Sequence, residues 1–312
     1  MTRYIILRIV NVVVTLLVIA TLTFFLMKLL PGSPLNEEKL VTLPAEVQAQ
    51  IYAKYDLDKP VVVQYFSYMA NLAHGDLGNS FYYQGQSVTS LLAPRIGPSL
   101  IIGVQAIAGG AIIGALLGLV AAVRRNKLAD HAAMILSVLG IAIPNFVFAA
   151  LIQYWLGYKW ALLPIAYWES YRSSILPTAA LSLAVIALVA RFIRTQMVEV
   201  LQSNYIKLAK AKGLSSYKIV MSHGLRNALI PALTVVGTAA AGLITGSLVI
   251  ETIFSVPGIG SLFVESIKLN DYPMIMGVTL LYSAMFVLIV LVVDVLYSVI
   301  DPRIRIAGTK DR

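Results

Sequence analysis

The stretch Tyr205-Ile-Lys-Leu-Ala-Lys-Ala-Lys-Gly213 lies between two long apolar runs and combines helix-forming residues with basic side chains. Its three lysines stand near the C-terminal end of the predicted helix, where cations complement the helix dipole. Gly213 can take the left-handed backbone conformation that ends a helix, and Ser215 or Ser216 can cap a second helix. The pattern therefore predicts a bent, basic helical hairpin within residues 195–230.

This hairpin has two interpretations. It is either a solvated, positively charged loop between membrane helices or a surface on which another protein docks. The hairpin is long and predicted to be helical, and apolar residues are interleaved with its lysines, namely Tyr205, Leu208 and Leu214. These features favour docking, because a loop that is only solvated needs none of them.

Six apolar segments are long enough to cross a membrane. A span requires about 20 largely apolar residues, and the chain is 59% hydrophobic and 12% charged. Because backbone polar groups find no water inside a bilayer, each span must be helical. The sequence therefore predicts an all-α polytopic membrane protein with spans at Leu7–Leu30, Ser99–Val123, Ala132–Leu156, Ile175–Phe192, Ile230–Ile253 and Met274–Ile300.

The distribution of Lys and Arg predicts the orientation of these spans. With the N-terminus inside, most of the 24 basic residues fall in inner segments, whereas the outer segments collect acidic residues. Cytoplasmic loops of membrane proteins are enriched in Lys and Arg, so we expect both termini to be cytoplasmic. The formal net charge of +9 is thus a topology signal and does not indicate nucleic-acid binding.

The segment between the first two spans is too long for a simple connection. Val47, Ile51 and Tyr55 recur at helical spacing, and a second apolar stripe follows Pro60. We expect two short amphipathic helices outside the membrane, which either cap the helix bundle or form a docking surface. The predicted domains are a transmembrane helix over 1–30, an external helical subdomain over 31–94, a five-helix transmembrane domain over 95–301 and a cytoplasmic tail over 302–312.

Small residues and one proline predict how the spans pack. Glycines recur every four residues in two spans, at Gly110, Gly114 and Gly118, and at Gly242 and Gly246. Such faces let helix backbones approach closely, so we assign them first to packing within the bundle and second to pairing between subunits. Pro144 should kink the third span, because it removes a backbone hydrogen bond and clashes with the preceding turn.

The sequence contains no recognisable catalytic motif. It lacks the phosphate loop Gly-x-x-x-x-Gly-Lys-Ser/Thr, the zinc motif His-Glu-x-x-His and the nucleophile motif Gly-x-Ser-x-Gly. It has no cysteine, and its three histidines share no ligand spacing, so we predict no metal site and no cofactor. Asp294 lies well inside a span, where a structural role near Arg303 is favoured over an ion site. A membrane-embedded enzyme and an ion-coupled carrier are therefore the weaker alternatives.

A series of short motifs along nearly the whole chain resembles the oligopeptide/dipeptide/nickel branch of the ABC importer permeases. Each motif alone is weak, but all of them in this order are highly specific. They are Pro31-Gly-Ser-Pro34, Tyr55-Asp-Leu-Asp-Lys-Pro60, Gly75-Asp-Leu-Gly78, Asn126-Lys-Leu-Ala-Asp130, Ala190-Arg-Phe-Ile-Arg194, Glu251-Thr-Ile-Phe254, Pro257-Gly-Ile-Gly260, Asp271-Tyr-Pro273 and Asp301-Pro-Arg-Ile-Arg305. The basic hairpin likewise resembles the cytoplasmic coupling loop of these permeases.

The resemblance implies the type I ABC importer transmembrane fold and a role as one half of a heterodimeric pore. The implied partners are a homologous second permease, two cytoplasmic ATPases, an external substrate-binding protein, a peptide substrate and membrane lipid. The implied location is the cell membrane of a prokaryote, and the chain itself is not an enzyme. The residues expected to couple to the ATPase are Tyr205, Leu208, Ala209, Lys210, Ala211, Lys212, Gly213 and Leu214.

The hairpin departs from the general permease motif, which begins with Glu-Ala-Ala six residues before its glycine. This chain has Lys207, Leu208 and Ala209 there, and a longer separation between Gly213 and Pro231, as the peptide branch also has. Oligopeptides are the expected cargo, with dipeptides or chelated nickel as alternatives. The candidate residues of the translocation path are Gln105, Asn145, Gln153 and Ser182.

Overall fold

The structure is a computed structural model, and it describes residues 2–29 and 44–300. Most residues of this part of the chain are helical, and a single bridge pairs Asn79 with Ser87. The α-helices are α1 (Thr2–Lys28), α2 (Ala45–Lys54), α3 (Val61–Ala73), α4 (Val88–Val123), α5 (Leu128–Ala142), α6 (Asn145–Ile152), α7 (Ile175–Gln202), α8 (Asn204–Ala211), α9 (Ser216–Lys218), α10 (Arg226–Ile253), α11 (Ile259–Lys268) and α12 (Tyr272–Ile300).

Some predictions lie outside the described residues. These are the motifs Pro31-Gly-Ser-Pro34 and Asp301-Pro-Arg-Ile-Arg305, the tail over 302–312, and the roles of the Asp294 side chain, Arg303 and Gly246. The two helices expected after the first span are confirmed as α2 and α3, and each begins directly after a proline, Pro44 or Pro60. A proline is favoured at such a boundary, because it has no backbone N–H that the helix would leave unpaired.

The described residues contain four helices that are long and apolar enough to cross a membrane, at Val10–Lys28, Val88–Val123, Tyr171–Gln202 and Tyr272–Val292. Two further spans result only if each of two bent helix pairs is counted as one crossing. Four continuous helices thus correspond to predicted spans, and the predicted number of six depends on these two bent pairs. The bends occur at Pro144 and near Pro231, where the backbone hydrogen-bond ladder of a helix is interrupted.

The break at Pro144 is much larger than the predicted kink. Helix α5 and the helical stretch Asn145–Lys159 meet at 104°, and Ile143 has an extended backbone with ψ 120°. A residue that precedes proline is driven out of the helical region by the proline ring. The second half of this pair ends as a π-helix over Gln153–Lys159.

Several helix ends also differ from the predicted spans. Helix α4 begins eleven residues before Ser99, and α7 continues ten residues past Phe192. Hydropathy marks only the apolar part of a helix, whereas the helix itself continues into water as long as its backbone bonds are made. The helix α11 was not predicted; it is short, and its buried side is lined by residues such as Ile259 and Leu262.

The chain divides into two compact units. The first unit lies within residues 1–97 and 257–287, and the second within residues 98–256 and 288–312. In the first unit, one apolar cluster joins the start of α4 to α11 and α12, and a second joins Phe24 and Met27 of α1 to the start of α12.

A buried carboxylate organises the loop of the first unit that precedes α4. Asp271, which is 1% exposed, accepts hydrogen bonds from the Ser80 hydroxyl and from the backbone N–H of Phe81 at 3.1 Å. The same side chain accepts from the N–H of Met274 in the first turn of α12. A carboxylate at this place complements the positive end of the helix dipole, and it connects the loop to the helix.

The core of the second unit is built around α7. This helix packs against α5, α6 and α10, and its buried side chains include Leu181, Val185, Ile193 and Met197. In the helical stretch Tyr171–Gln202, which contains α7, 61% of the most apolar segment is buried, whereas the corresponding value for α4 is 33%. Helix α7 is therefore the central helix of this unit.

The glycine stripe of α4 lies against α7, as expected for packing within the bundle. A Cβ on Gly114 would be 2.8 Å from the carbonyl oxygen of Ile186, and one on Gly118 would be 2.5 Å from that of Ala190. The backbones are thus too close for any side chain. Gly242 of the second predicted stripe differs, because a Cβ there would meet open space.

We predict that Gly118→Ala destabilises the protein by about 1–3 kcal/mol, the usual range for overpacking. The atom that opposes the new methyl group is a backbone oxygen, which cannot move aside as a flexible side chain would. Thermal unfolding in detergent measures the effect. Gly103→Ala on the same helix is the matched control, since its Cβ would have no neighbour within 4 Å; equal melting temperatures for the two variants would contradict the packing argument.

Candidate coupling site

The hairpin predicted at residues 195–230 begins where α7 ends. Ser203 has an extended backbone, with ψ 156°, and it separates α7 from the short helix α8. The hydroxyl of Ser203 donates to the carbonyl of Val200 at 2.7 Å, so this polar side chain satisfies one of the last free carbonyls of α7. The part of the predicted hairpin before Gly213 therefore consists of two helices with a bend between them.

Gly213 ends α8 in the left-handed conformation that the sequence predicts. Its φ is +76°, its N–H donates to the Lys210 carbonyl at 2.9 Å, and the N–H of Leu214 donates to the Ala209 carbonyl at 3.2 Å. This pair of bonds is the Schellman motif, which needs a residue with positive φ and favours glycine there. Ser215 follows as the N-cap of α9, where its side chain accepts from the N–H of Lys218.

A small apolar cluster holds α8 against its neighbours. Ile206, Ala209 and Ile219 are buried in it, and Val200, Leu201 and Leu214 pack around them. Ala209 and Leu214 were predicted as coupling residues; the structure assigns both to this cluster. They orient the helix, and its outer face is formed by other residues.

The outer face of α8 and the turn after it combine apolar and basic side chains. Tyr205 is 46% exposed, Leu208 57% and Tyr217 76%. Lys207, Lys210, Lys212 and Lys218 are exposed beside them. Within residues 2–29 and 44–300, none of these four lysines forms an ion pair. This face is chemically suited to contact an acidic surface that also carries an apolar pocket.

Beyond α9 the chain continues as a π-helix over Ile219–Leu225 and then enters α10. A Cβ on Gly224 would be 2.9 Å from the methyl carbon of Met197, so the π-helix lies close against α7. This π-helix connects the hairpin to α10. Such turns are frequent at functional sites. The predicted helix after Ser215 is therefore continuous with the predicted span at Ile230–Ile253, because α10 already begins at Arg226.

An ion pair between a buried aspartate and a partly exposed arginine connects α7 to α5. Arg194 donates from Nε to Asp130 Oδ1 and from Nη2 to Asp130 Oδ2, both at 2.8 Å. Asp130, in the first turn of α5, also accepts from the N–H of Asn126 at 2.9 Å, and its side chain is 1% exposed. Both residues stand in motifs noted in the sequence, but only the fold brings them together.

The four candidate path residues do not form one cluster of hydrogen-bonded groups. Gln105 accepts from the Thr178 hydroxyl at 2.8 Å, and Ser182, which is buried, donates to the Ala179 carbonyl of its own helix. The amide nitrogen of Gln153 donates to the carbonyls of Ile165 and Ile253 at 2.9 Å each. Asn145 is half-buried at the start of α6. A role for these residues in transport remains a prediction.

Sequence comparison places the chain in a family. It belongs to the family described as binding-protein-dependent transport system inner membrane component, whose profile matches residues 114–306. The N-terminal component of the same transport systems matches residues 1–99. The family is therefore established over most of the chain, in agreement with the resemblance that the motifs show.

Individual relatives cover almost the whole chain. The dipeptide transport system permease protein DppB of Lactococcus lactis subsp. cremoris is 45% identical over 306 residues, which is 98% of this chain and 100% of the relative. DppB of Bacillus subtilis is 46% identical, covering 98% of this chain and 99% of the relative. The oligopeptide transport system permease protein OppB of Escherichia coli K12 is 44% identical, covering 98% of this chain and 100% of the relative.

Solved structures support the fold. A chain of the MetNI methionine ABC transporter in inward-facing conformations superposes with a TM-score of 0.57 at 15% identity, covering 68% of this chain and 97% of that chain. A chain of an amino acid ABC transporter crystallised with histidines gives a TM-score of 0.54 at 16% identity, covering 67% of this chain and 94% of that chain. The arrangement of helices is thus one that ABC transporters use.

We predict that Asp130→Ala destabilises the second unit by about 2 kcal/mol, because the buried carboxylate loses its charge-assisted hydrogen bonds to Arg194. Lower thermal stability of the purified protein would report this. Arg194→Lys should have a smaller effect, since a lysine keeps the charge but cannot make both hydrogen bonds. Lys59→Ala is the control: it breaks the exposed pair with Asp56, which should contribute little. Equal loss of stability in Asp130→Ala and Lys59→Ala would contradict the structural role of the Asp130–Arg194 pair.

Proposed function

We propose that this chain is the permease subunit of an ATP-driven peptide importer and that its helix α8 receives the motion of a cytoplasmic ATPase. A homologous second permease completes the pore, and an external binding protein delivers the cargo. The observation that carries this proposal is the outer face of α8, where exposed apolar and basic side chains stand on a helix held by buried residues. The phosphate loop absent from this sequence belongs, in this scheme, to the ATPase partners.

The names of the relatives support peptides as the cargo, since they include dipeptide and oligopeptide permeases. We favour oligopeptides, with dipeptides as the nearer alternative and chelated nickel as the more distant one. We would measure the uptake of a labelled tripeptide in the presence of unlabelled dipeptides, longer peptides or nickel, each in a separate experiment. The degree of inhibition ranks the three candidate cargoes. Uptake of labelled nickel without any uptake of the tripeptide would exclude peptide cargo.

Two sets of contacts can transmit a movement of α8 to the membrane helices. The apolar cluster around Ile206 joins α8 to the end of α7 and to the π-helix that leads into α10. Asp130 and Arg194 connect the same end of α7 to α5. A push on α8 therefore reaches three helices as a rigid-body movement, and ATP binding shifts the pore between two states.

Gly213→Pro should abolish uptake. Proline cannot adopt a φ of +76° and has no N–H to donate to the Lys210 carbonyl, so the end of α8 must rearrange. Uptake into membrane vesicles and recovery of the ATPase with the purified importer are measured together. Binding of peptide to the external binding protein should persist.

Gly75→Pro is the matched control for this variant. Gly75 has a φ of +80° and ends α3 with the same pair of backbone hydrogen bonds, from its own N–H to Leu72 and from Asp76 to Asn71. Because α3 is remote in sequence from the hairpin and carries no ATPase contact in this scheme, uptake should survive. Full transport by Gly213→Pro would overturn the coupling role of α8.

The proposed orientation can be tested by labelling, because the chain has no native cysteine. We expect Leu208→Cys on α8 to be shielded from a membrane-impermeant maleimide in intact cells and to react in inside-out membranes stripped of the ATPase. Phe66→Cys on α3, at a side chain that is 65% exposed, should react in intact cells. The reverse pattern would place α8 outside the membrane and end the proposal.

A further inference from the structure

The first unit contains a cavity of about 330 Å³ beside the C-terminal end of α1. Its lining combines polar groups with aromatic rings: Lys28 and Phe24 of α1, Gln64 and Tyr68 of α3, and Tyr272 of α12 are among the residues.

Lys28 brings a positive charge to this cavity. Its Nζ donates to Gln64 Oε1 at 2.5 Å and lies 5.6 Å from the ring centroids of Phe24 and Tyr272. In the described part of the chain, no carboxylate lies within ion-pair distance of this ammonium group. Asp56, which also lines the cavity, is paired with Lys59 at 2.7 Å.

Tyr68 adds an unused hydrogen-bond donor. Its hydroxyl oxygen is buried and has no hydrogen-bond partner among the described residues. Burial raises the pKa of Tyr68 well above its ordinary value, so the group remains a protonated O–H. A buried hydroxyl without a partner is costly. An ammonium group and a hydroxyl donor at one cavity are together suited to an anionic oxygen.

A second, apolar cavity of about 570 Å³ lies nearer the N-terminal end of α1. It is lined by Leu16 and Leu17 of α1, Leu92 of α4 and Leu280 of α12, among others. Leu77 lines both cavities, and the polar cavity ends at Met276 where the apolar one includes Gly277. The first unit thus presents a polar site with an apolar groove next to it.

The spacing of the two cavities matches the dimensions of a lipid. Lys28 is the last residue of the candidate span Val10–Lys28, so it stands at the level of the lipid headgroups. From Lys28 to Leu17 is eleven residues, or about 16 Å along a helix. Half of the hydrocarbon core of a bilayer is about 15 Å, which is the reach of one leaflet's acyl chains.

We infer that this is a binding site for a phospholipid, with the phosphate held by Lys28 and Tyr68 and an acyl chain in the apolar groove. The inference rests on α1 crossing the membrane, as the proposed function requires. Charge complementarity selects this occupant: a protein segment that filled only the groove would leave the Lys28 charge without a partner. The lipid would fill the groove between α1, α3, α4 and α12 within the first unit.

The test is native mass spectrometry of the complete purified importer titrated with dioleoylphosphatidylglycerol. Lys28→Gln and Tyr68→Phe should each weaken lipid binding about tenfold or more, as expected for the loss of a hydrogen bond to a charged group. Lys28→Arg should retain it, since the charge is kept. Dioleoylglycerol, which has no phosphate, should bind equally weakly to all variants, and inorganic phosphate should not displace the lipid.

Matched variants separate this site from general effects on the protein. Lys268→Gln and Tyr82→Phe change exposed residues of the same unit that do not line the cavity and should leave lipid binding unchanged. Ala93→Phe fills the groove and should expel the lipid, whereas Ala108→Phe, at an exposed position elsewhere on α4, should not. Recovery of the ATPase in each preparation shows that the importer is assembled, independently of the lipid measurement.

Three results would overturn the inference. The first is lipid binding that is unchanged in both Lys28→Gln and Tyr68→Phe. The second is a crosslink from Ala93→Cys to the sister permease in place of lipid, which would make the groove a subunit interface. The third is displacement of the lipid by a peptide with a free carboxylate but not by an amidated peptide, which would make the cavity a peptide site.

Discussion

The second unit depends on the close burial of α7. Glycines of α4 allow its backbone to approach this helix until carbonyl oxygens of α7 leave no room for a side chain. Helices α5, α6 and α10 cover other sides of it. Lipid is as apolar as leucine, so helices in a membrane gain little from hydrophobicity and associate through such close packing. The packing of α7 is therefore what gives the hairpin beyond it a defined position.

Contacts with α7 and with the π-helix hold the hairpin in place. Helix α8 has only eight residues, fewer than an isolated helix needs to be stable in water. It persists because Ile206 and Ala209 are buried against α7 and the π-helix, and because Gly213 and Ser203 close its two ends. The exposed residues on its outer face can then serve recognition without having to hold the helix in place.

Buried carboxylates recur where segments distant in sequence meet. Asp130 meets Arg194, Asp271 meets the loop at Ser80, and Glu251, which is fully buried, accepts from the Ser99 hydroxyl at 2.8 Å. Glu251 and Asp271 belong to the acidic residues of the predicted outer segments, yet both are buried. Their burial is possible because hydroxyl or backbone N–H donors from other segments reach them, and such partners cannot be identified from the local sequence.

The sequence by itself determined the class of protein, most of the helical segments, the glycine face of α4, and the stop at Gly213 with its cap at Ser215. These features depend on apolarity, periodicity and local backbone chemistry, all of which can be read within a few residues. The tertiary structure alone decided the 104° break at Pro144, the division of the hairpin at Ser203, the Asp130–Arg194 pair and the inward assignment of Ala209. Each of these depends on which distant residues come into contact, and contact between distant residues is a property of the folded chain.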